Sequence, residues 1–367
     1  MLRTFIITII LFFHETNICL SQYLVSELDA SVGYLIKHSP LLLLPPSQAT
    51  YGLHLRFKKQ TEADAYWKIA YKLPEVGVGF SFFQMGNTAI YGNVIGVYPT
   101  FTRYFFRRPK HAMHITYASG ISYNSAPFDA LANPLNVAIG SRLNNITSIR
   151  ISSQFVVKKQ LLGQVAFSIF HTSNGSLQLP NLGYNIASLH VGLRFAPPHK
   201  INNQFNINDV LPYNSGVRYF FRASIATNER QAVGGPKYPI YIATLGVSKQ
   251  ITLKNKWFTG VDFEYNSGIH DQLIFNANTY SNLQLAAVRS SLIVGHEFMV
   301  NRFGLPLQLG YYVYKKAFKP MPLYFKIGAF RYYKLSKKNR TQLLAGIMMK
   351  SHFGTAEFIE ATLGLQY

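Results

Sequence analysis

The most regular feature of the sequence is an alternation of apolar and polar residues, in segments separated by polar turns. In the last segment, 359–367, every second residue is apolar and the series ends on Tyr367, while Glu, Thr, Gly and Gln stand between. A period of two is that of a β-strand whose two faces meet different surroundings. The pattern therefore predicts an all-β chain. Further alternating segments lie near 49–57, 63–72, 76–84, 92–106, 111–123, 146–158, 162–172, 185–196, 216–228, 238–250, 256–266, 285–298, 303–314, 320–333 and 342–350.

The number of these segments predicts the size of the sheet. They add up to roughly 16 strands, with about 12 to 16 as the range, because strand boundaries read from one sequence are soft. At roughly twenty residues for a strand and its connection, a chain of 367 residues has room for this number.

Composition decides which kind of β protein this is. Charged residues make up only 14% of the chain and aromatic residues 15%, whereas a soluble domain carries about a quarter charged residues. A disordered chain is excluded because it would combine low hydrophobicity with high charge. A helical membrane protein is disfavoured because no apolar run reaches the roughly 18 residues that a membrane helix needs. We therefore predict a transmembrane antiparallel β-barrel, with a soluble β-sandwich as the alternative.

The N-terminus has the features of a secretory signal peptide. Arg3 supplies a basic start, residues 5–13 form an apolar core, and Cys19 and Ser21 place small residues before a cleavage site. The apolar core is too short to span a bilayer, so we expect a signal peptide over 1–21. Since Cys19 is the only cysteine, the mature chain is expected to contain no disulfide and no cysteine-bound metal.

The remaining chain is predicted to form a short lead-in and one barrel. Residues 22–48 read as a partly ordered lead-in and 49–367 as the barrel. An aromatic residue at the end of an alternating last strand resembles the signal for insertion into the outer membrane of a Gram-negative bacterium. If that strand ends at the periplasmic rim, longer connections fall outside, and only 197–215 breaks this rule. The expected outer connections are 124–145, 173–184, 229–237 and 267–284.

The formal net charge of +21 at pH 7 indicates an anionic partner. Nucleic acid and anionic lipid are both consistent with a strongly basic chain. The cations are spread through turns and strands, without a basic helix or a zinc knuckle. Charge of this kind describes association rather than fold, and we expect a membrane partner and no nucleic acid.

One segment, 165–185, carries residue types that can perform chemistry. His171 and Ser173 continue a strand face that is apolar at the preceding odd-numbered positions, so both are predicted to project outward near the outer membrane interface. On the next strand, Asn185 is in phase with lipid-facing residues and within reach of His171. The three side chains are therefore expected to share one outer surface.

A histidine beside a serine is what an ester hydrolase needs, because the imidazole removes the hydroxyl proton during attack. In a chain with 11 histidines, a pair of interfacial polar residues is the alternative interpretation. The position of the pair favours chemistry, since polar side chains that face lipid are costly and usually functional.

The sequence around this pair resembles a known family. The blocks His171-Thr-Ser173-Asn174-Gly175 and Pro180-Asn181-x-Gly183 are similar to the motif of the outer-membrane lipid A 3-O-deacylases, also called acyloxyacyl hydrolases. The resemblance implies an enzyme that removes a fatty acyl chain from lipid A in the outer leaflet, at a site on the outer wall of the barrel. Supporting matches, as in a larger-barrel branch of the family, lie at 133–144, 235–240 and 352–360.

The resemblance also implies roles for individual residues. Ser173 matches the nucleophile and His171 the general base. Asn174, Gly175 and Asn181 match the block around the oxyanion, where backbone or side-chain N–H groups stabilise the developing negative charge.

One position departs from the family pattern. Asn185 stands where family members carry Glu, as the orienting third member of a triad. An amide oxygen can accept a hydrogen bond from the ring but cannot stabilise an imidazolium by its charge, and Asp→Asn in a serine triad costs about 10⁴ in rate. Three alternatives follow: a weaker orienter, a substitute acid elsewhere, or loss of activity.

The leading functional hypothesis is an ester hydrolase acting on lipid A or lipopolysaccharide, with no cofactor and no metal. A porin or transporter is the alternative, because a barrel of roughly 16 strands can enclose a channel. An inactive barrel that binds lipopolysaccharide is the third. The sequence leaves the acyl position that is cleaved and the oligomeric state open.

Overall fold

The computed structural model describes residues 24–39, 41–42, 48–63, 65–197, 216–230, 232–276, 280–317, 321–335 and 341–367. Within these ranges the chain divides into two compact units. The predicted signal peptide, 1–21, lies outside the described residues.

The first unit is a closed antiparallel barrel of eight strands. Each strand pairs with the next along the chain, and β8 returns to pair with β1, with Leu28 opposite Leu193. Two short helices, α1 (Tyr66–Ala70) and α2 (Thr88–Tyr91), lie in its connections. The strands are β1 (Leu24–Leu35), β2 (Thr50–Gln60), β3 (Glu75–Gln84), β4 (Asn93–Arg107), β5 (His111–Asn124), β6 (Leu143–Lys158), β7 (Leu161–Ser173) and β8 (Tyr184–Phe195).

The second unit is a second closed antiparallel barrel of eight strands, in which β16 pairs with β9. The segment Gly175–Leu179 clusters with this unit. Helices α3 (Ser267–Phe275) and α4 (Leu283–Ala286) lie between β11 and β12. The strands are β9 (Val217–Glu229), β10 (Lys237–Gln250), β11 (Asn255–Asn266), β12 (Val288–Val300), β13 (Phe303–Lys315), β14 (Leu323–Lys334), β15 (Gln342–His352) and β16 (Thr355–Gln366).

The prediction of an all-β antiparallel barrel protein is confirmed, and the described residues form sixteen strands. The expectation of one barrel is wrong, because the strands close as two barrels of eight. Alternation reports which face of a strand meets lipid, and it carries no information on where a sheet closes. Residues 198–215, most of the connection that is the exception to the loop rule, lie outside the described residues.

Two element predictions are also wrong. The lead-in predicted for 22–48 contains β1, so the first barrel begins before residue 49. The strand predicted near 63–72 is occupied by α1 instead. The predicted and observed numbers of strands agree only because the prediction missed β1 and included a false strand near 63–72. In β1 the alternation is present, with Glu27 and Asp29 buried and Leu28 exposed, but charged residues on the inner face obscure it.

The interior of the first barrel is filled by charged side chains. Lys58 Nζ lies 2.8 Å from Glu27 Oε1, and Arg194 Nη2 lies 2.6 Å from Glu75 Oε1. An eight-stranded barrel has an interior just wide enough for side chains to fill. Buried charges are tolerated there because each finds a partner of opposite sign. A channel would require a wider barrel than one of eight strands, so the structure removes the basis for the porin or transporter hypothesis.

The outer wall and the outer end of the first barrel are apolar. Along β7 the side chains of Val165, Phe167 and Ile169 are exposed, as expected of a surface in contact with lipid. The end that carries the long connections is closed by an apolar cluster of Leu42, Phe83, Met85, Tyr91, Val94, Tyr98, Ala118, Ala138, Ile139, Ile146, Phe170, Tyr184 and Ile186.

The helices of the described ranges are short. The longest is α3, with 9 residues. None of the helices in these ranges has the length and apolar character that a membrane-spanning helix requires.

Candidate active site

The predicted site lies at the outer end of β7 and β8 in the first barrel. Ser173 is the last residue of β7, and His171 stands directly opposite Asn185 in the strand register. The neighbouring inward positions, Phe170 and Thr172, are buried and His171 is partly exposed, so the phase of β7 is the predicted one. Ser173, at the end of the strand, is in phase with His171 but is itself buried, with 5% of the residue exposed. The period of two along both strands brings the three side chains to one surface.

The three side chains form a continuous chain of hydrogen bonds. Asn185 Oδ1 lies 2.8 Å from His171 Nδ1, and His171 Nε2 lies 3.0 Å from Ser173 Oγ. An amide oxygen can only accept, so Nδ1 carries the ring proton and donates it to Asn185. The lone pair of Nε2 is then directed at the hydroxyl of Ser173. This arrangement is the one in which imidazole can take a proton from serine.

The loop after Ser173 is held by two asparagines. The backbone N–H of Asn174 donates to Asn181 Oδ1 at 2.8 Å, and Asn174 Nδ2 donates to Ser141 Oγ at 2.9 Å. The oxygen of Asn181 is therefore an acceptor that fixes the loop, and the Asn174 N–H is engaged with it. Among the residues predicted near the oxyanion, Asn174 directly follows Ser173, and its side chain carries the donor Nδ2.

Ser141, in the connection between β5 and β6, and Asn144, the second residue of β6, support this loop. Asn144 Nδ2 donates to the carbonyl oxygen of Ser141 at 2.8 Å, and Ser141 Oγ donates to Asn144 Oδ1 at 2.9 Å. Both residues lie in a supporting block of similarity, but no role was predicted for them from the sequence. Their contact with Asn174 depends on a loop fold that the two-residue period does not encode.

The two barrels correspond to two family models. Residues 50–194 match the model described as lipid A 3-O-deacylase, and residues 213–367 match the model described as acyloxyacyl hydrolase, C-terminal domain. The chain belongs to the lipid A 3-O-deacylase family. The predicted resemblance is confirmed, and the family match includes the strands that carry His171, Ser173 and Asn185.

Solved structures provide further comparisons for this family member. Neisserial surface protein A shares 8% identity, covers 47% of this chain and 96% of its own, and has a TM-score of 0.33. CdiB from Acinetobacter baumannii shares 10% identity over 94% of this chain and 60% of its own, with a TM-score of 0.19. The Pseudomonas putida toluene transporter TodX shares 7% identity over 94% and 89%, with a TM-score of 0.17. No curated protein sequence matches the chain.

Gly183 provides the space in which the His171 ring lies. Its φ is +82°, in the left-handed region that favours glycine. A Cβ built at this position would lie 3.0 Å from His171 Cε1 and 3.5 Å from Ser173 Cβ. Its N–H donates to the carbonyl oxygen of Ala138 at 2.8 Å, which fixes the backbone at this point.

We expect Gly183→Ala in this family member to lower activity by about 10- to 100-fold, because the methyl group displaces the imidazole from Ser173. The measurement is the rate of ester hydrolysis by the folded variant. Gly234→Ala is the matched control, since Gly234 has a φ of +77° but a Cβ at this position would meet no atom within 4 Å. Equal activity in the two variants would contradict a steric role for Gly183.

His38 is a further residue beside the site, and it was not predicted from the sequence. Its Nε2 donates to the carbonyl oxygen of Leu182 at 2.7 Å, and so connects the end of β1 to the loop that precedes Gly183. His38 lies in the segment that was predicted as a lead-in. Only the pairing of β1 with β8 brings it to this edge.

A second histidine–serine pair on the same strands faces the interior. Ser168 Oγ lies 2.6 Å from His190 Nε2, and both residues are buried inside the barrel. This pair has no access to lipid. Within the described ranges, no three or more His, Cys, Asp or Glu side chains come together in a way that could hold a metal ion.

Proposed function

We propose that Ser173, His171 and Asn185 form the catalytic triad of an outer-membrane ester hydrolase that removes a fatty acyl chain from lipid A. Membership of the lipid A 3-O-deacylase family supports the substrate and the hydrolase activity. The observation that supports the residue roles is the chain of hydrogen bonds from Asn185 through His171 to Ser173 on the outer wall. His171 and Asn185 are partly exposed on the wall that carries the lipid-facing residues, and Ser173 lies buried beside them.

The geometry gives each residue one step in the reaction. Ser173 Oγ attacks the ester carbonyl carbon while its proton passes to His171 Nε2. The tetrahedral intermediate collapses, the sugar hydroxyl leaves with that proton, and the acyl group remains on Ser173. Water then attacks this second ester, gives a proton to Nε2, and releases the fatty acid as Ser173 Oγ regains its proton.

The negative charge on the intermediate requires donors close to Ser173. We assign this role to Asn174 Nδ2 and to the backbone N–H of Gly175, with Asn181 holding the loop through the Asn174 N–H. Gly175 adopts a φ of +64°, a conformation that few other residues adopt without strain. A fixed loop places the donors before the reaction begins, so no energy is spent on orienting them.

Asn185 orients the ring through a neutral hydrogen bond, and its variants test the third position of the triad. We expect Asn185→Ala to lower the hydrolysis rate by about tenfold, since only a neutral hydrogen bond is lost. We expect Asn185→Glu to preserve the rate or raise it by about tenfold or more, because a carboxylate stabilises the imidazolium. The measurement is the rate of fatty acid release at fixed pH.

Asn145→Glu is the control for the new charge. Asn145 stands opposite Ser173 in the register and donates to the carbonyl oxygen of Gly120, without a hydrogen bond to His171. Glu at this position should not raise the rate. If Asn185→Ala behaves as wild type and Asn185→Glu changes nothing, the orienting residue lies elsewhere.

The function itself is tested with the full chain in vesicles that contain lipid A. We expect free fatty acid to accumulate with time, together with a lipid A product lighter by one acyl chain, both detected by mass spectrometry. Intact lipid A after prolonged incubation with folded protein would contradict the proposal.

A further inference from the structure

A second polar cluster lies inside the second barrel, at the end opposite the C-terminal Tyr367. Three adjacent strands contribute to it through directly paired residues, with Glu264 of β11 opposite Arg289 of β12, and Arg289 opposite Lys315 of β13. Lys350 of β15 and Glu357 of β16 complete it. None of these residues takes part in the proposed catalytic mechanism. We call them, with Asn266, the outer-end cluster.

The outer-end cluster holds an excess of positive charge. Arg289 Nη1 lies 2.7 Å from Glu357 Oε1 and 3.3 Å from Glu264 Oε1, and Lys350 pairs with both carboxylates. These four charges balance. Lys315, directly opposite Arg289 in the register, brings a further positive charge, and no third carboxylate of the described residues belongs to the cluster.

The next layer of the same barrel shows that this excess is local. Lys326 Nζ lies 3.0 Å from both Asp262 Oδ2 and Glu360 Oε2, and Arg222 is the second cation near these carboxylates. Two cations therefore face two anions. Charges that leave water are normally compensated in this way, because an uncompensated buried charge is costly. The outer-end cluster departs from that rule.

Several hydrogen-bond donors of the cluster are also without an acceptor among the described residues. Asn266 Nδ2 is fully buried, with 0% of the residue exposed, and Arg289 Nε belongs to a residue that is 4% exposed. Lys315 Nζ is shielded from solvent and lies over the face of the Tyr312 ring, at 4.2 Å from the centroid. Buried donors without acceptors are rare in native proteins.

We propose that the outer-end cluster binds a phosphate dianion. The excess positive charge of the cluster favours an anion, and a phosphate monoester carries a charge of about −1.5 to −2 at pH 7. Its several oxygens can accept from the donors on Asn266, Arg289 and Lys315, and guanidinium groups are well suited to this geometry. The phosphate is either free in solution or part of the headgroup of a membrane glycolipid. Binding at this cluster does not depend on the catalytic role of Ser173.

The test is calorimetric titration of inorganic phosphate into the full chain in detergent micelles. We expect wild type to bind and Lys315→Gln to bind about tenfold more weakly, as for the loss of one charge-assisted hydrogen bond. Lys315→Arg keeps the charge and should restore binding. Lys316→Gln is the matched control, because Lys316 is the exposed next residue and should leave affinity within about twofold.

A second titration with lipopolysaccharide, intact or treated with phosphatase, identifies the source of the phosphate. Weaker binding after dephosphorylation, lost in Lys315→Gln, supports a glycolipid headgroup. Equal binding of both forms, with inorganic phosphate still bound, supports free phosphate. No binding of phosphate by wild type, or equal binding by Lys315→Gln, overturns the proposal. Ser173→Ala should bind phosphate as wild type does, which separates this site from the catalytic one.

Discussion

Ser173→Ala is expected to lower deacylation by about 10³-fold or more, to the rate that binding and oxyanion stabilisation alone provide. The substitution removes the attacking oxygen and little volume. Ser173 Oγ contacts His171 and the residue stands at the end of β7, so the barrel should stay closed. The measurement is fatty acid release from lipid A vesicles, with heat-modifiable gel migration as the check on folding.

Ser168→Ala is the matched control for this variant. Ser168 lies on the same strand and is paired with His190, but it faces the interior of the barrel. Its loss should leave the rate of the folded protein within about twofold, as expected for a site away from the reaction. Full activity in Ser173→Ala would show that another residue is the nucleophile.

His171→Ala is expected to be nearly as damaging, with a loss of about 10³-fold at neutral pH, because a serine hydroxyl without a base is a poor nucleophile. Asn185 then has no ring to orient, so Asn185→Glu should give no gain in this background. The double variant is the sharper measurement, since it separates a triad from two independent polar residues.

His111→Ala is the control for the loss of an outward histidine. His111 Nε2 lies 2.7 Å from Ser153 Oγ, at the opposite end of the first barrel. This pair consists of a histidine and a serine, as in the proposed site. Among the described residues, no asparagine forms a hydrogen bond with its imidazole ring. We expect the variant to retain activity. A similar loss in His111→Ala and His171→Ala would indicate a general effect on the barrel.

The faces of β7 and β8 could be predicted because alternation is a local property of the chain. Apolar residues at the odd-numbered positions of both strands fixed the phase, and His171, Ser173 and Asn185 followed from it. The closure of the sheet could not be predicted, since it depends on which strand β8 pairs with. In the sequence, Leu28 and Leu193 cannot be distinguished from other lipid-facing residues, and only the strand register shows that they pair.

The support around the site was less accessible to sequence reasoning. Asn181 is expected near the oxyanion, and the contact it makes, its oxygen accepting from the Asn174 N–H, does not follow from the sequence. That contact depends on how the loop turns, with Gly183 at a φ of +82°. His38 reaches the site only through the β1–β8 pairing. Local patterns therefore predicted the residues of the proposed triad and left out the residues that hold them in place.

The most direct test of the central claim is the mass spectrum of lipid A from otherwise identical cells that produce either wild type or Ser173→Ala in the outer membrane. Cells with wild type should contain lipid A that is lighter by one acyl chain, and cells with Ser173→Ala only the full-length form, at equal protein levels. Identical spectra in which both samples carry the shortened form, or both the full-length form, would contradict Ser173-dependent deacylation.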